Sequence, residues 1–226
     1  MKASEVNALQ RSRHVLLDFD GPVCSAFAGY PAPEVAEALR SAAIERGVAL
    51  PESLRAEDDP MKVLLGLWEV APQYHRDAEA LLTSAELSSV AVATPTAGAI
   101  GFMRACASTG RPLAVVSNNS PEAVRTFLDK QDLAHLVKVI VGRDKASPLL
   151  MKPNPHLPRL ALKALEADPA TSILVGDSTT DIEAAHAVGA VAVGYANRPG
   201  KREKFRALNA DIITEHMRDL AQVLSS

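Results

Sequence analysis

Only two cysteines, Cys24 and Cys106, occur among the 226 residues. They lie far apart and show neither a metal-type nor a redox-type spacing, so a thiolate metal site is excluded and a disulfide is not indicated. A reducing, cytoplasmic setting is the expectation. No apolar run approaches the ~20 residues of a membrane span. The opening stretch "MKASEVNALQRSRH" lacks the apolar centre of a signal peptide. An excess of basic charge is missing too. The net charge of −3 provides no field to attract nucleic acid or an anionic membrane, and neither is expected as a partner. The local basic run "RPGKREKFR" (198–206) contains Glu203 and reads as a solvated helix face. The six histidines are scattered without an HxxxH pair, and no internal repeat or low-complexity segment is visible.

What is present is a chain with 47% hydrophobic residues, enough to bury a sizeable core. "HVLLDFD" (14–20) is a short, nearly continuous apolar run, the pattern of a strand covered on both faces. "RPLAVVSNNS" (111–120), "HLVKVIVG" (135–142), "TSILVGDS" (171–178), "AVAVGYAN" (190–197) and "ADIITE" (210–215) read the same way. Helical patterns separate them at 95–110, 121–133, 155–168 and 179–189, with Pro121 at a first turn and Gly110 and Gly189 as stops. This alternation predicts an α/β fold built on a doubly wound, Rossmann-like parallel sheet. Residues 30–92 break the rhythm with helical spacing only, for example Val35, Leu39 and Ala42 on one face. They are expected to form a small α-helical cap. The resulting division is a core of 1–22 and 93–226 and a cap of 23–92.

In open α/β sheets, ligands bind beyond the carboxyl ends of the strands. Three expected strand ends carry polar groups: Asp18 and Asp20, Ser117 and Asn118, and Asp177 followed by Asp181. Residues i and i+2 of an extended segment point to the same side, so Asp18 and Asp20 can face one substrate. Carboxylates that close repel, which favours a bound cation or a shared proton. Asp181 falls in the first turn of the helix after Asp177, where negative charge is tolerated. An oxygen-rich cluster of this kind suits Mg²⁺. Ser117 and Asn118 can offer a hydroxyl, an amide and backbone N–H groups to an anion. Lys152 adds a compact positive charge.

"DFDGPV", "VVSNN", "MKPNP" and "GDSTTDIEAAHAVGA", in that order, resemble the four signature motifs of the haloacid dehalogenase-like hydrolase superfamily. The resemblance runs from residue 14 to about 200, and the helical insertion after the first motif is similar to the phosphoglycolate phosphatase and beta-phosphoglucomutase-like subgroup. It implies a phosphatase acting on a small phosphorylated metabolite. Asp18 would be the nucleophile that forms an aspartyl-phosphate, and Asp20 the general acid and then base. Ser117, with Asn118 in the same turn, would bind the transferring phosphoryl group, and Lys152 would pair with phosphate and Asp18. Mg²⁺ would be held by the Asp18 side chain, the Asp20 backbone carbonyl and Asp177, with Asp181 ligating directly or through water.

Three other functions stay open on the sequence. A sugar-phosphate mutase or phosphotransferase would use the same acids with a different acceptor. A 2-haloacid dehalogenase would not need the acid at Asp20, since halide leaves without a proton. A non-catalytic phosphate-ester-binding protein would have no reason to keep so much clustered charge. Cys24 and Phe27 are placed facing the cavity under the cap, Trp68 and Tyr74 as packing residues, and Asn197 and Arg198 as loop residues near a strand end. The substrate's identity and the choice between monomer and dimer are not legible.

Overall fold

The computed structural model describes residues 1–226. The chain opens with α1 (Ala3–Arg11) and β1 (His14–Leu17). Four helices follow without a strand: α2 (Ala32–Glu45), α3 (Glu52–Arg55), α4 (Pro60–Val70) and α5 (His75–Val90). Alternation then begins with α6 (Ala99–Ser108), β2 (Leu113–Val116), α7 (Pro121–Lys130) and β3 (Val139–Val141). It continues through α8 (His156–Ala164), β4 (Ser172–Gly176), α9 (Thr179–Val188) and β5 (Val191–Tyr195). The chain closes with α10 (Lys201–Ala207), β6 (Ile212–Thr214) and α11 (Met217–Ser225).

All strand pairs are parallel, in the order β3-β2-β1-β4-β5-β6. This is the doubly wound sheet the sequence pattern predicts. Because side chains alternate across a strand, the apolar runs feed two cores at once. Val15 and Leu17 pack with Phe102 of α6, Phe127 of α7 and Leu220 of α11. Leu16 faces the opposite way, with Leu157 of α8, Ile182 of α9 and Phe205 of α10. A third apolar cluster holds Val35, Leu39, Leu64, Leu67 and Leu82, all from the strandless segment. Two connections tie that segment to the sheet. They brace each other where Cys24 bridges Pro95 and the Thr96 N–H donates to the Val23 carbonyl at 2.8 Å.

Several details depart from the pattern-based expectation. β3 covers only 139–141, because residues 134–136 close a tight 3-10 turn before this edge strand. The spacing assigned no element to α1 or α11. α1 buries only Leu9, which leaves almost no apolar stripe to read. α11 does carry one, Met217, Leu220 and Leu224, and lies against α6. The helix after β2 is capped by Ser120, whose Oγ accepts from the Ala123 N–H, so Ser117 and Asn118 are not spent as its caps. Both cysteines are free and buried, and no helix is long and apolar enough to cross a membrane. Trp68 packs edge-on against His75, and Arg46 lies over the Tyr74 ring. Both aromatics are packing residues, as expected.

Candidate active site

Three adjacent strands deliver the polar groups to one rim of the sheet. Asp18 follows β1, and its N–H donates to the Val175 carbonyl of β4 at 2.8 Å, so the strand ladder itself fixes it. Ser117 follows β2, and Asp177 follows β4. Lys152 comes from the loop before α8 and reaches between the acids. Its ammonium donates to Asp18 Oδ1 at 2.7 Å, Asp181 Oδ1 at 2.6 Å and the Val116 carbonyl at 2.9 Å. All three N–H bonds of a buried lysine are thereby satisfied. Burial alone would lower the Lys152 pKa, but Asp18 and Asp181 outweigh it and hold the ammonium above the ordinary lysine range.

Each acid sits in a different environment. Burial, with Asp181 and Asp177 nearby, pushes the Asp18 carboxyl well up, and Lys152 opposes the rise. Burial also raises Asp20, to about 6, against a lowering by the Ala26 N–H that donates to its Oδ1 at 2.8 Å. Asp181 is the N3 residue of a capping box, with Oδ2 accepting from the Ser178 N–H and hydroxyl. Asp177 Oδ2 accepts from Asn197 Nδ2 at 2.9 Å and Lys201 Nζ at 2.5 Å. The close approach depends on two glycines. A Cβ on Gly21 (φ +97°) would lie 2.3 Å from the Asp177 carboxyl carbon, and one on Gly176 would lie 2.1 Å from that of Asp181.

The donor set fits a hard divalent cation. Carboxylate oxygens of Asp18, Asp177 and Asp181 all lie within 4.8 Å of one another. Asp18 Oδ2 and Asp177 Oδ1 carry no hydrogen bond, since Lys152, Asn197 and Lys201 all use the other oxygens. No imidazole or thiolate joins them, and Cys24 stays protonated because burial, with Asp20 and Asp18 nearby, raises its thiol. Oxygen ligands without nitrogen or sulfur favour Mg²⁺-like ions.

Beside Asp18 lies a set of donors for an anion. No backbone hydrogen bond is donated by the N–H groups of Phe19, Asp20 or Asn118. Ser117 is nearly fully buried and shares hydrogen bonds with Asn119 at 3.0 Å. The Asn118 side chain is committed elsewhere: Oδ1 accepts from the Lys152 N–H at 2.8 Å and Nδ2 donates to the Lys152 carbonyl at 3.1 Å. It thus ties the loop after β2 to the lysine loop. Ser117, Asn118, Lys152, Asp18, Asp20 and Asp177 all line one cavity of about 950 Å³ that reaches α2 and α4.

Some expectations need correcting. Phe27 lines this cavity, but Cys24 does not; it is fully buried in the apolar cluster, where its backbone bridges Asp20 and Pro95. The basic run 198–206 is not merely a solvated face, because Lys201 turns inward onto Asp177 and Arg198 lines the cavity. Asn197 is likewise more than a loop residue; its buried Oδ1 has no partner.

A second ionic centre lies behind the site, one that the strand-end pattern does not reach. Arg143, wholly buried after β3, donates to Glu79 and Glu86 of α5 and to the Asn118 carbonyl at 2.6 Å. Glu86 also accepts from Asn119 Nδ2 and the Ser120 N–H. The turn that carries Ser117–Asn119 is therefore fixed from behind by α5. One signal was available: Glu79 and Glu86 sit seven residues apart, on the same face of a helix whose neighbours are apolar.

A family model described as haloacid dehalogenase-like hydrolase matches residues 51–195, a span that holds Ser117, Lys152, Asp177 and Asp181 and begins after Asp18 and Asp20. The chain is 29% identical over 229 residues to a phosphoglycolate phosphatase (plasmid) of Cupriavidus necator, covering 93% of this chain and 92% of that protein. Against the phosphoglycolate phosphatase of Escherichia coli K12 it is 30% identical over 115 residues, 51% of this chain and 45% of that one. Among solved structures, CbbY from Rhodobacter sphaeroides in complex with phosphate aligns with a TM-score of 0.68 at 18% identity, covering 92% and 96% of the two chains. A haloacid dehalogenase-like family hydrolase from Streptococcus pneumoniae aligns with a TM-score of 0.69 at 16% identity, covering 94% and 98%. At such identities these structures speak to the fold alone.

Proposed function

The chain belongs to the haloacid dehalogenase-like hydrolases, and from that membership we propose that it is a metal-dependent phosphatase that hydrolyses a small phosphate monoester through an aspartyl-phosphate. In this reading residues 1–22 and 93–226 are the catalytic core and 23–92 the cap over it.

The observation that carries the proposal is Lys152 held between Asp18 and Asp181, beside free N–H groups. Phosphoryl transfer needs positioning and charge neutralisation above all. The substrate's phosphoryl oxygens accept from the Asn118, Phe19 and Asp20 N–H groups, while the Ser117 hydroxyl and one Lys152 N–H exchange their partners within the protein, Asn119 and Asp181, for phosphoryl oxygens. Asp18 Oδ1 stays on Lys152, so Oδ2 is the oxygen aimed at phosphorus. A bond forms from Oδ2 to phosphorus as the phosphorus–ester oxygen bond breaks. The departing oxygen takes its proton from the Asp20 carboxyl, whose pKa, raised by burial to about 6, lets it hold one far more readily than a free carboxyl does. Asp20, now a carboxylate, accepts a proton from water as that water attacks phosphorus. Orthophosphate leaves and Asp18 is regenerated.

A divalent cation, Mg²⁺ in this proposal, would be held by Asp18, Asp177 and the Asp20 carbonyl, with Asp181 directly or through water. Its charge offsets the repulsion between an anionic nucleophile and an anionic phosphate. The dehalogenase alternative finds no use for Asp20, and no residue lining the cavity favours a sugar acceptor over water.

The test is phosphate release from 4-nitrophenyl phosphate with Mg²⁺, for the native chain, Asp18→Asn and Asp20→Asn. Both substitutions are expected to abolish steady-state turnover, and acid quenching of the native chain with labelled substrate is expected to trap a phosphoprotein. Undiminished turnover by Asp18→Asn would refute the assignment.

A further inference from the structure

Glycolate, the alcohol implied by the names of two relatives, is a hydroxy acid, so an enzyme for its phosphate must accommodate a carboxylate on the leaving group. The cavity of this chain is built against that. Its reaction end has every requirement for one dianionic phosphoryl group: Lys152, the free N–H groups and the cation-binding acids. Its cap end has the opposite character. Glu57, Asp58 and Asp59 line it in succession. The only cap-derived cation on the wall, Lys62, is paired with Glu57 at 3.4 Å.

The N-terminus of α4 opens onto the same space and could receive an anion. It is already filled by the chain itself. Asp59 caps it, with Oδ1 accepting from the Met61 N–H at 2.9 Å, and Glu57 accepts in turn from the Asp59 N–H at 2.9 Å. Of the two core-side cations, Lys152 is taken up by Asp18, the Val116 carbonyl and the transferring phosphoryl group. Arg198 is exposed and makes no ion pair, and it stands on the side of Asp20 and Asp177, with which it also lines a small polar cavity.

The remaining cap-side wall is apolar. Phe27 and Leu65 are half-buried on it, and Leu149 of the core, which lines the same cavity, is 52% exposed. At about 950 Å³ the cavity also has far more room than a two-carbon acid would fill. Small-molecule sites span roughly 300–1,000 Å³.

We infer, resting on the phosphatase reading, that the substrate is a phosphate monoester of an uncharged or cationic, partly apolar alcohol, and that leaving groups carrying a carboxylate or a second phosphate are rejected by the Glu57–Asp59 wall. Repulsion between a leaving-group carboxylate and this acidic wall, in a partly solvated site, disfavours the anionic ester by about tenfold.

The test compares kcat/KM within two matched pairs: 4-nitrophenyl phosphate against 4-carboxyphenyl phosphate, and 2-aminoethyl phosphate against 2-phosphoglycolate. The carboxylated member of each pair is expected to be the poorer by about tenfold, and the gap is expected to shrink as salt rises. Asp58→Lys, at an exposed position, is expected to raise the carboxylated member relative to its partner in both pairs. Equal or faster turnover of either carboxylated ester overturns the inference while leaving the phosphatase reading intact, as does an Asp58→Lys ratio that does not move. Absence of phosphate release from all four esters instead removes the phosphatase reading, and the inference with it.

Discussion

Replacing Arg143 with Met removes the only cation between Glu79 and Glu86 while keeping most of the side-chain volume. The arginine side chain is 0% exposed, and the two glutamates are 5% and 1% exposed. Two carboxylates would then share a sealed space from which water is excluded. Breaking a buried pair by deleting one partner costs about 3–5 kcal/mol. For a chain of this length each kcal/mol lowers Tm by about 2–4 °C, so the expected fall is about 6–20 °C. The functional consequence is separate. Arg143 also holds the Asn118 carbonyl, and Glu86 holds Asn119 and Ser120, so the loop beside Asp18 loses its backing. KM for a phosphate ester is expected to rise alongside any loss in kcat. Scanning calorimetry with kinetics reads both effects. In the triple variant Arg143→Met/Glu79→Gln/Glu86→Gln the uncompensated charge is gone, and most of the lost Tm is expected to return while KM stays high. A single variant whose Tm falls by less than about 3 °C would show that the ionic centre contributes little, against this reasoning.

Two further outcomes test the carboxylate cluster. Gly176→Ala places a Cβ 2.1 Å from the Asp181 carboxyl carbon, and the acid must shift, taking Lys152 with it. A displacement of about 1 Å near the reacting atoms costs on the order of 10²-fold, and phosphate-release kinetics with unchanged circular dichroism is the expected pair of readings. Fully active Gly176→Ala would contradict the packing described. In the proposed reading Mg²⁺ binds the folded cluster only, so raising it to one hundred times its Kd is expected to add about 2.7 kcal/mol of stability, and Asp177→Asn to remove most of that gain. Thermal melts with and without chelator decide it; identical curves argue against a resident cation.

Much of this arrangement was legible because the strands are short apolar runs ending in polar residues. "HVLLDFD" and "TSILVGDS" have no solvent face, so they belong inside a sheet, and their terminal acids belong at its rim. The inward turn of Lys201 was hidden for a physical reason. A lysine beside arginines and a glutamate has the composition of a solvated face, and only the position of Asp177 makes one of its neighbours inward-facing. Arg143 was hidden by distance, since its partners lie 64 and 57 residues earlier in the chain. Nothing local distinguishes it from an exposed arginine after an edge strand. α11, by contrast, was readable from Met217, Leu220 and Leu224, whose i, i+3, i+7 spacing is a plain amphipathic stripe.

The molecule contains the same ionic device twice, one cation between two carboxylates, and the two copies separate structure from chemistry. Around Arg143 no carboxylate oxygen is left over. Both oxygens of Glu79 accept from the guanidinium, and those of Glu86 accept from the guanidinium, Asn119 and the Ser120 N–H. With every acceptor filled, that centre can hold α5 against the loop and can do nothing else. Around Lys152 the accounting stays open. Asp18 Oδ2 and Asp177 Oδ1 have no donor, the N–H groups of Phe19, Asp20 and Asn118 have no acceptor, and Asp18, Asp20, Asn118 and Asp177 line the cavity. The two unpaired carboxylate oxygens are not sealed in the interior but open to the cavity, where a ligand can reach them. In the proposed reading a cation takes the free Asp177 oxygen, phosphorus the free Asp18 oxygen and the phosphoryl oxygens the N–H groups, and binding them together completes the set of hydrogen bonds and charges that the fold alone leaves unfinished.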